Sequence, residues 1–100
     1  MVKHVILWTL KEEFTDEQKT EIKEGMKTSL EALEGKIPGL MSINVYTEGL
    51  KSSNAEVMLD SSFESEEALK GYAVHPEHVY AADNFVRPYT ATRLCLDYEV

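Results

Sequence analysis

The chain is predicted to be an α+β protein of ferredoxin-like βαββαβ order, with an antiparallel four-stranded sheet and both helices on one face of it. Three observations lead to this prediction. Four segments alternate between apolar and polar residues as strands do, and two others carry helix-start signals and helical spacing. The length of 100 residues fits a single domain, residues 1–100, with one core. Right-handed crossovers then place both helices on the same side of the sheet.

The first strand is predicted over residues 2–10 and is followed by a long helix. One face of the strand carries Val2, His4, Ile6, Trp8 and Leu10. The segment Thr15-Asp16-Glu17-Gln18 has the form of a capping box, so the helix begins there. Its apolar stripe, with helical spacing, consists of Ile22, Met26, Leu30 and Leu33. Gly35 and Pro38 are expected to end the helix.

Two further strands are predicted over residues 41–48 and 55–63, joined by a polar turn over 49–54. Each alternates between a face that is expected to be buried and a more polar face. The expected buried residues are Met41, Ile43, Val45 and Thr47 in the first strand, and Ala55, Val57, Leu59, Ser61 and Phe63 in the second. The two strands are therefore expected to form an antiparallel hairpin.

The second helix is predicted to begin after Ser65 and to run to about Ala73. Pro76 cannot continue that helix but suits the first turn of another, so we expect a kink at His75 and a helical turn over 77–83. The last strand is predicted over 90–99. Its two faces carry Leu94, Leu96, Tyr98 and Val100 on one side, and Arg93, Cys95, Asp97 and Glu99 on the other.

Both faces of the predicted sheet are partly apolar. The helices are expected to cover the face that carries Ile6, Trp8, Ile43, Val57, Leu94 and Leu96. The opposite face then presents Val5, Leu7, Tyr46, Met58 and Cys95. An apolar sheet face needs a cover, and the same face of a second copy is self-complementary. The sequence therefore predicts a homodimer through the sheet face.

The charge of the chain argues against two classes of partner. A net charge of -8 repels phosphate backbones and anionic lipid surfaces, so neither nucleic acid nor a membrane is an expected partner. The apolar start of the chain is interrupted by Lys11, Glu12 and Glu13, unlike a signal peptide or a membrane span, so a cytoplasmic protein is expected. Cys95, the only cysteine, is interpreted as a strand packing residue.

Proton-handling side chains are concentrated in the segment Gly71–Val79. It contains Tyr72, His75 and His78 beside a proline, and a histidine with a tyrosine hydroxyl can move a proton on a small substrate. His4 shares its strand face with apolar residues and should point toward the same interior. Structural interpretations remain open for each: packing for Tyr72, a helix cap for His75, a backbone hydrogen bond for His78 and a core position for His4.

No cofactor or metal is expected from the sequence. No motif for a nucleotide, a flavin or a haem is visible. His75, Glu77 and His78 are close along the chain, but two histidines three residues apart without a third distant ligand are a weak zinc signal.

Several short segments resemble the stress-responsive dimeric α/β-barrel family, known as Dabb. They are Val2-Lys3-His4-Val5, Phe63-Glu64-Ser65, Tyr72 with His75-Pro76-Glu77-His78-Val79, and Asp97-Tyr98. The resemblance covers nearly the whole chain, and the His-Pro-x-His-Val turn after the second helix is its most specific part. It implies two protomers that form a dimeric α/β barrel.

The resemblance also implies roles for individual residues. By similarity to a plant polyketide cyclase of that family, His78 matches the general base, Tyr72 the hydroxyl that holds a carbonyl oxygen, and His4 a pocket histidine. Val57 stands where that cyclase has a second pocket histidine, and the first helix offers apolar side chains instead of aromatic ones. The expected substrate-binding residues are Ile6, Trp8, Ile22, Met26 and Val57.

Two functions therefore follow from the sequence. In the first, the protein has a small-molecule pocket at His4, Tyr72 and His78 and carries out cyclase-like or isomerase-like acid/base chemistry on a hydrophobic carbonyl compound. In the second, it is a non-catalytic, stress-related dimeric structural protein. A cavity that reaches His78 favours the first, and a closed core there favours the second.

Overall fold

Four strands form one antiparallel sheet in the computed structural model, which describes residues 1–100. The strands are β1 (Val2–Leu10), β2 (Leu40–Tyr46), β3 (Val57–Phe63) and β4 (Thr90–Glu99). Their order in the sheet is β2-β3-β1-β4, and every neighbouring pair is antiparallel. The predicted ferredoxin-like fold is confirmed, with β1 and β3 in the centre and β2 and β4 at the edges.

The helical layer consists of α1 (Asp16–Glu31), α2 (Glu66–Val74) and α3 (Pro76–Ala81), which continues as a π-helical segment, Ala82–Val86. Thr15 and Gln18 form the predicted capping box at the start of α1. That helix ends at Glu31, and turns lead on to Gly35, whose φ is 84°. No helix has both the length and the apolarity that crossing a membrane requires.

The chain kinks at His75, as predicted. The residue before a proline avoids helical backbone angles, and His75 accordingly has ψ 132°, which ends α2. Its imidazole Nδ1 then accepts a hydrogen bond from the backbone N–H of Glu77 at 3.1 Å and caps α3. This corner lets α3 pack against the end of α2 and against α1.

A single apolar core lies between the sheet and the helices. Its members from β1 are Val2, Ile6, Trp8 and Leu10, and those from the apolar stripe of α1 and the turn after it are Met26, Leu30 and Leu33. The predicted burial of Met41 is wrong: it is 52% exposed, because the β2–β3 register shifts between Leu40 and Ser42. The shift places Leu40 in the core instead.

The two faces of β4 are the reverse of the prediction. Leu94 and Leu96 pair with Leu7 and Val5 of β1, and residues directly opposite each other in an antiparallel pair share a face. Both leucines therefore lie on the face away from the helices, where they are 69% and 64% exposed. The same register puts Cys95 opposite Ile6, on the helix-covered face.

The reason for this reversal is that β4 is an edge strand with apolar side chains on the face that no helix covers. The alternation of a strand gives its period but not which phase faces the core. Arg93 and Asp97, predicted to lie on the outer face, consequently lie on the helix side, opposite Trp8 and His4.

Candidate functional site

A cavity of about 140 Å³ lies between the helical layer and the part of the sheet formed by β1 and β4. A cavity of about this volume holds a benzene-sized group. Most of its lining is apolar, and its polar members come from both layers. The lining residues are His4, Ile6, Trp8, Leu30, Leu59, Leu69, Tyr72, Ala73, His78, Ala82, Val86, Arg87, Thr90 and Arg93.

The kink at His75 brings Tyr72 and His78 into contact inside this cavity. Their ring centroids are 4.1 Å apart, and the planes are tilted by 33°. Tyr72 is 2% exposed, and its hydroxyl has no hydrogen-bond partner. Burial raises the pKa of this hydroxyl, so Tyr72 stays protonated at neutral pH. A buried hydroxyl without a partner is costly, and a ligand in the cavity could satisfy it.

His78 is arranged as a neutral base. Its Nδ1 lies 3.3 Å from the carbonyl oxygen of Ala73, and in the tautomer that donates this hydrogen bond Nε2 keeps a free lone pair. Burial lowers the pKa of His78, the bond to Ala73 opposes this shift, and the positive charges of Arg87 and Arg93 reinforce it. At pH 7 the imidazole is therefore ready to accept a proton.

His4 belongs to a hydrogen-bonded triad on the sheet side of the cavity. Its Nδ1 contacts the Asp97 carboxylate, and the Cys95 thiol lies 3.7 Å from Nδ1 and 3.4 Å from Oδ1 of Asp97. Burial raises the pKa of this thiol, and the Asp97 carboxylate raises it further. The His4 ring stands edge-on to Tyr72, with the centroids 6.0 Å apart.

The side chains of His4, Cys95 and Asp97 are also the group best placed to hold a metal ion. Their ligand atoms lie within 4.8 Å of one another, and nitrogen, sulfur and oxygen are all zinc ligands. A metal would have to displace the thiol proton and separate His4 from Asp97, whereas the direct contact needs neither. The sequence also showed a weak zinc signal at His75, Glu77 and His78. There, Nδ1 of His75 already accepts the hydrogen bond that caps α3, and Nδ1 of His78 faces the carbonyl oxygen of Ala73.

A wider groove of about 650 Å³ runs between α2 and β4 beside the cavity. Its walls include Lys70 on one side and Asp97 on the other. Groove and cavity share four lining residues: His4, Leu69, Ala73 and Arg93. The groove is therefore a path by which a small molecule can approach Tyr72 and His78 from solvent.

Five of the eight residues expected at the site line the cavity: His4, Ile6, Trp8, Tyr72 and His78. The other three do not. Met26 and Val57 are fully buried in the core, and partly buried Ile22 lines a separate surface groove beside Phe85. Val57 pairs with Trp8 across the sheet, and Trp8 itself lines the cavity.

Sequence reasoning missed three charged residues of the site. Arg87 and Arg93 line the cavity, and Asp97 holds the imidazole of His4. The signal that would have found two of them is the β1–β4 register, which pairs Arg93 with Trp8 and Asp97 with His4.

Comparison with known families identifies the family to which this fold belongs. The model of the stress responsive A/B barrel domain, Dabb, matches residues 2–100. The chain belongs to the Dabb family. This confirms the resemblance seen in the sequence, and the match covers all four strands of the Dabb fold described above. None of the curated proteins matches the chain significantly.

Solved structures give the same fold. A dimeric protein of unknown function and ferredoxin-like fold from Bacteroides fragilis is 32% identical, with a TM-score of 0.92 over 99% of this chain and 95% of its own. A Dabb family protein from Mesorhizobium loti is 19% identical, with a TM-score of 0.75 over 99% and 95%. A hydroxynitrile lyase from Passiflora edulis is 17% identical, with a TM-score of 0.71 over 97% and 90%. The last two show likeness of fold alone.

Proposed function

We propose that this Dabb protein is a small-molecule enzyme that moves a proton next to a carbonyl group, as cyclases and isomerases do. The observation that carries the proposal is the contact between His78 and Tyr72 inside a mainly apolar cavity, with the Tyr72 hydroxyl buried and unpartnered. Each is in the protonation state that the reaction needs. His78 is neutral and can accept a proton, and Tyr72 is protonated and can donate a hydrogen bond.

In the proposed step, Nε2 of His78 removes a proton from the carbon next to the carbonyl. The electron pair of the broken C–H bond forms the C=C bond of an enolate, and the carbonyl oxygen gains negative charge. The Tyr72 hydroxyl donates a hydrogen bond to that oxygen, which it can do without losing another partner. The enolate carbon then attacks a second carbonyl carbon, whose oxygen takes the electron pair of its C=O π bond and the proton from His78. In an isomerisation, the enolate instead takes that proton back from His78 at a new position.

The remaining residues would position the two reacting groups. Ile6 and Trp8 offer apolar surface for the body of the ligand. His4, held by Asp97, supports the ring of Tyr72 from the sheet side. Met26 and Val57 would act through packing, since they lie behind the lining, and Ile22 would have no direct contact with a ligand in this cavity.

The test is the exchange of α-hydrogens of cyclohexanone for deuterium, followed by proton NMR in D2O. The ring has the size of the cavity, and its α-hydrogens exchange only through the enol or enolate. The parent protein is expected to accelerate exchange, and His78→Gln to lose roughly 100-fold of that acceleration, the usual size of a general-base contribution. Tyr72→Phe is expected to lose at least about tenfold, since it removes the donor to the enolate oxygen.

His75→Asn is the matched control, because it removes a histidine from the same corner and keeps a side chain that can cap α3. It is expected to exchange at the parent rate. Circular dichroism establishes that each variant is folded. Equal rates in the parent and in folded His78→Gln would overturn the proposal, as would a parent protein that gives no acceleration over buffer.

The exposed sheet face favours a second proposal, that the protein is a homodimer through this face. Leu94 and Leu96 stand on it with Val5 and Leu7, and dimers are described for the relatives from Bacteroides fragilis and Thermobifida fusca. If the carbonyl chemistry fails its test, this assembly is what remains, and the stress-related structural dimer becomes the preferred function.

A further inference from the structure

Both arginines of the chain line the same small cavity. The sequence contains only Arg87 and Arg93, and both contribute to the walls around Tyr72 and His78. By contrast, none of the 18 acidic residues lines the cavity. A chain with a net charge of -8 therefore gathers positive charge at its one proposed ligand site.

The two arginines differ in what already neutralises them. Arg87 forms an ion pair with Asp83, one helical turn earlier on the protein surface. Arg93 forms no ion pair with any carboxylate of the chain, and the next side chain on its strand face is the neutral thiol of Cys95. Asp97, the nearest carboxylate on the same strand face, is held by His4. The guanidinium of Arg93 therefore has donors free for an anion.

Arg93 is also placed where it can bind one end of a ligand. It stands opposite Trp8 in the sheet and lines both the cavity and the groove outside it, so it lies at the boundary between them. Its positive charge acts on Tyr72 and on His78. A guanidinium presents a planar fork of donors that matches a carboxylate.

We propose that the ligand is a small keto acid, whose carboxylate binds Arg93 at the mouth of the cavity while its carbonyl oxygen lies at the Tyr72 hydroxyl and its α-carbon at Nε2 of His78. This inference rests on the proposed function and adds the class of substrate to it. Glu66, Asp97 and Glu99 line the outer groove together with Lys70, and none of these four lines the cavity, so Arg93 is the positive charge that the groove and the cavity share. The apolar inner wall then holds the carbon chain.

The test compares 4-oxopentanoate with 4-oxopentanamide, which has the same shape and the same ketone but no charge. Dissociation constants come from NMR titration and α-hydrogen exchange from proton NMR in D2O. The parent is expected to bind the acid about tenfold or more tightly than the amide, as a charge-assisted hydrogen bond at a partly exposed site would give. Arg93→Gln is expected to bind both equally, and Arg93→Lys to keep part of the preference.

Lys70→Gln is the matched control, because Lys70 lines the outer groove and its loss changes the net charge by the same amount. It is expected to keep at least most of the preference for the acid. If the amide binds as tightly as the acid and exchanges through His78, the keto-acid inference is wrong and the proposed function stands. If neither compound exchanges faster than in buffer, the proposed function itself is wrong. Equal loss of preference in Lys70→Gln and Arg93→Gln would show a general charge effect and overturn the role of Arg93.

Discussion

The three histidines of the chain have three different environments, and local contacts decide each one. His75 caps α3, His4 contacts Asp97, and His78 keeps one nitrogen free beside Tyr72. The cap was predictable, because a residue directly before a helix-starting proline is in the N-cap position. The Asp97 contact was not, because it joins residues 93 positions apart and depends on the β1–β4 register.

At this scale we predict the pH dependence of α-hydrogen exchange. His78 must be neutral to act as a base, and burial lowers its pKa below the ordinary value of 6.5. The rate should therefore be constant above pH 7 and fall on the acid side with a midpoint below 6.5. Arg93→Gln removes a positive charge that disfavours protonation, so its midpoint should move upward. A rate profile from pH 4 to 8, with the NMR titration of the His78 ring, measures both.

The lowered pKa of His78 also predicts how the free energy of unfolding depends on pH. A histidine whose pKa is lower in the folded state binds its proton more readily in the unfolded state. The free energy of unfolding of the parent should therefore fall, relative to that of His78→Gln, as the pH drops through 6.5 toward the folded pKa. If the difference in unfolding free energy between the parent and His78→Gln is constant from pH 7 to 5, the lowered pKa of His78 is contradicted. A midpoint above pH 6.5 in the titration of the His78 ring would contradict it as well.

At the scale of elements, the sequence predicts the kind and order of the strands and helices better than their orientation. Capping residues and Pro76 mark where helices begin, so α1, α2 and α3 start at or within a residue of the predicted positions. The prediction placed the wrong face of β4 against the helices, because Leu94 and Leu96 are apolar although they do not belong to the core. A cavity-facing edge strand can present Arg93 inward, and hydrophobic alternation alone then indicates the wrong phase.

The approach of α2 to the start of β2 depends on Gly39, and we predict a large effect of Gly39→Ala. Its φ of 81° is a left-handed angle, and an added Cβ would lie 2.4 Å from the Cβ of Ala68. The backbone angle costs about 1–2 kcal/mol and the overlap about 1–3 kcal/mol more. Urea unfolding should therefore show a loss of roughly 2–5 kcal/mol.

Gly35→Ala separates the cost of the backbone angle from the cost of the overlap with Ala68. Gly35 has a similar φ of 84°, but an added Cβ would meet nothing within 4 Å. It should lose only the cost of the backbone angle, about 1–2 kcal/mol. Equal losses in the two variants would mean that the contact with Ala68 is not tight.

At the scale of the whole molecule, the two faces of the sheet differ in what covers them. The inner face carries the core and the cavity, while the outer face is apolar without a cover. Its exposed large side chains include Leu7, Tyr46, Leu94, Leu96 and Tyr98. Lys3 and Asp60 pair on this face at 2.7 Å, so it also has a polar part. The sequence predicted that such a face exists, and the structure shows that β4 supplies more of it than expected.

This face leads to the last prediction, on the oligomeric state. The parent should have a mass of twice 11.3 kDa by light scattering at micromolar concentration, because the outer face is self-complementary under a twofold axis. Leu94→Asp places a charge opposite Leu7 in the apolar patch, so the dimer would have to bury two charges, one from each copy. The variant should have a mass of 11.3 kDa by light scattering, with an unchanged circular dichroism spectrum.

Val74→Asp is the control, since Val74 is comparably exposed, at 75%, but ends α2 in the helical layer. A monomeric parent, or a dimeric Leu94→Asp, would contradict the prediction. Since Arg93 is the neighbour of Leu94 but points to the other face, binding of 4-oxopentanoate by the monomeric variant would show that the cavity functions without the partner.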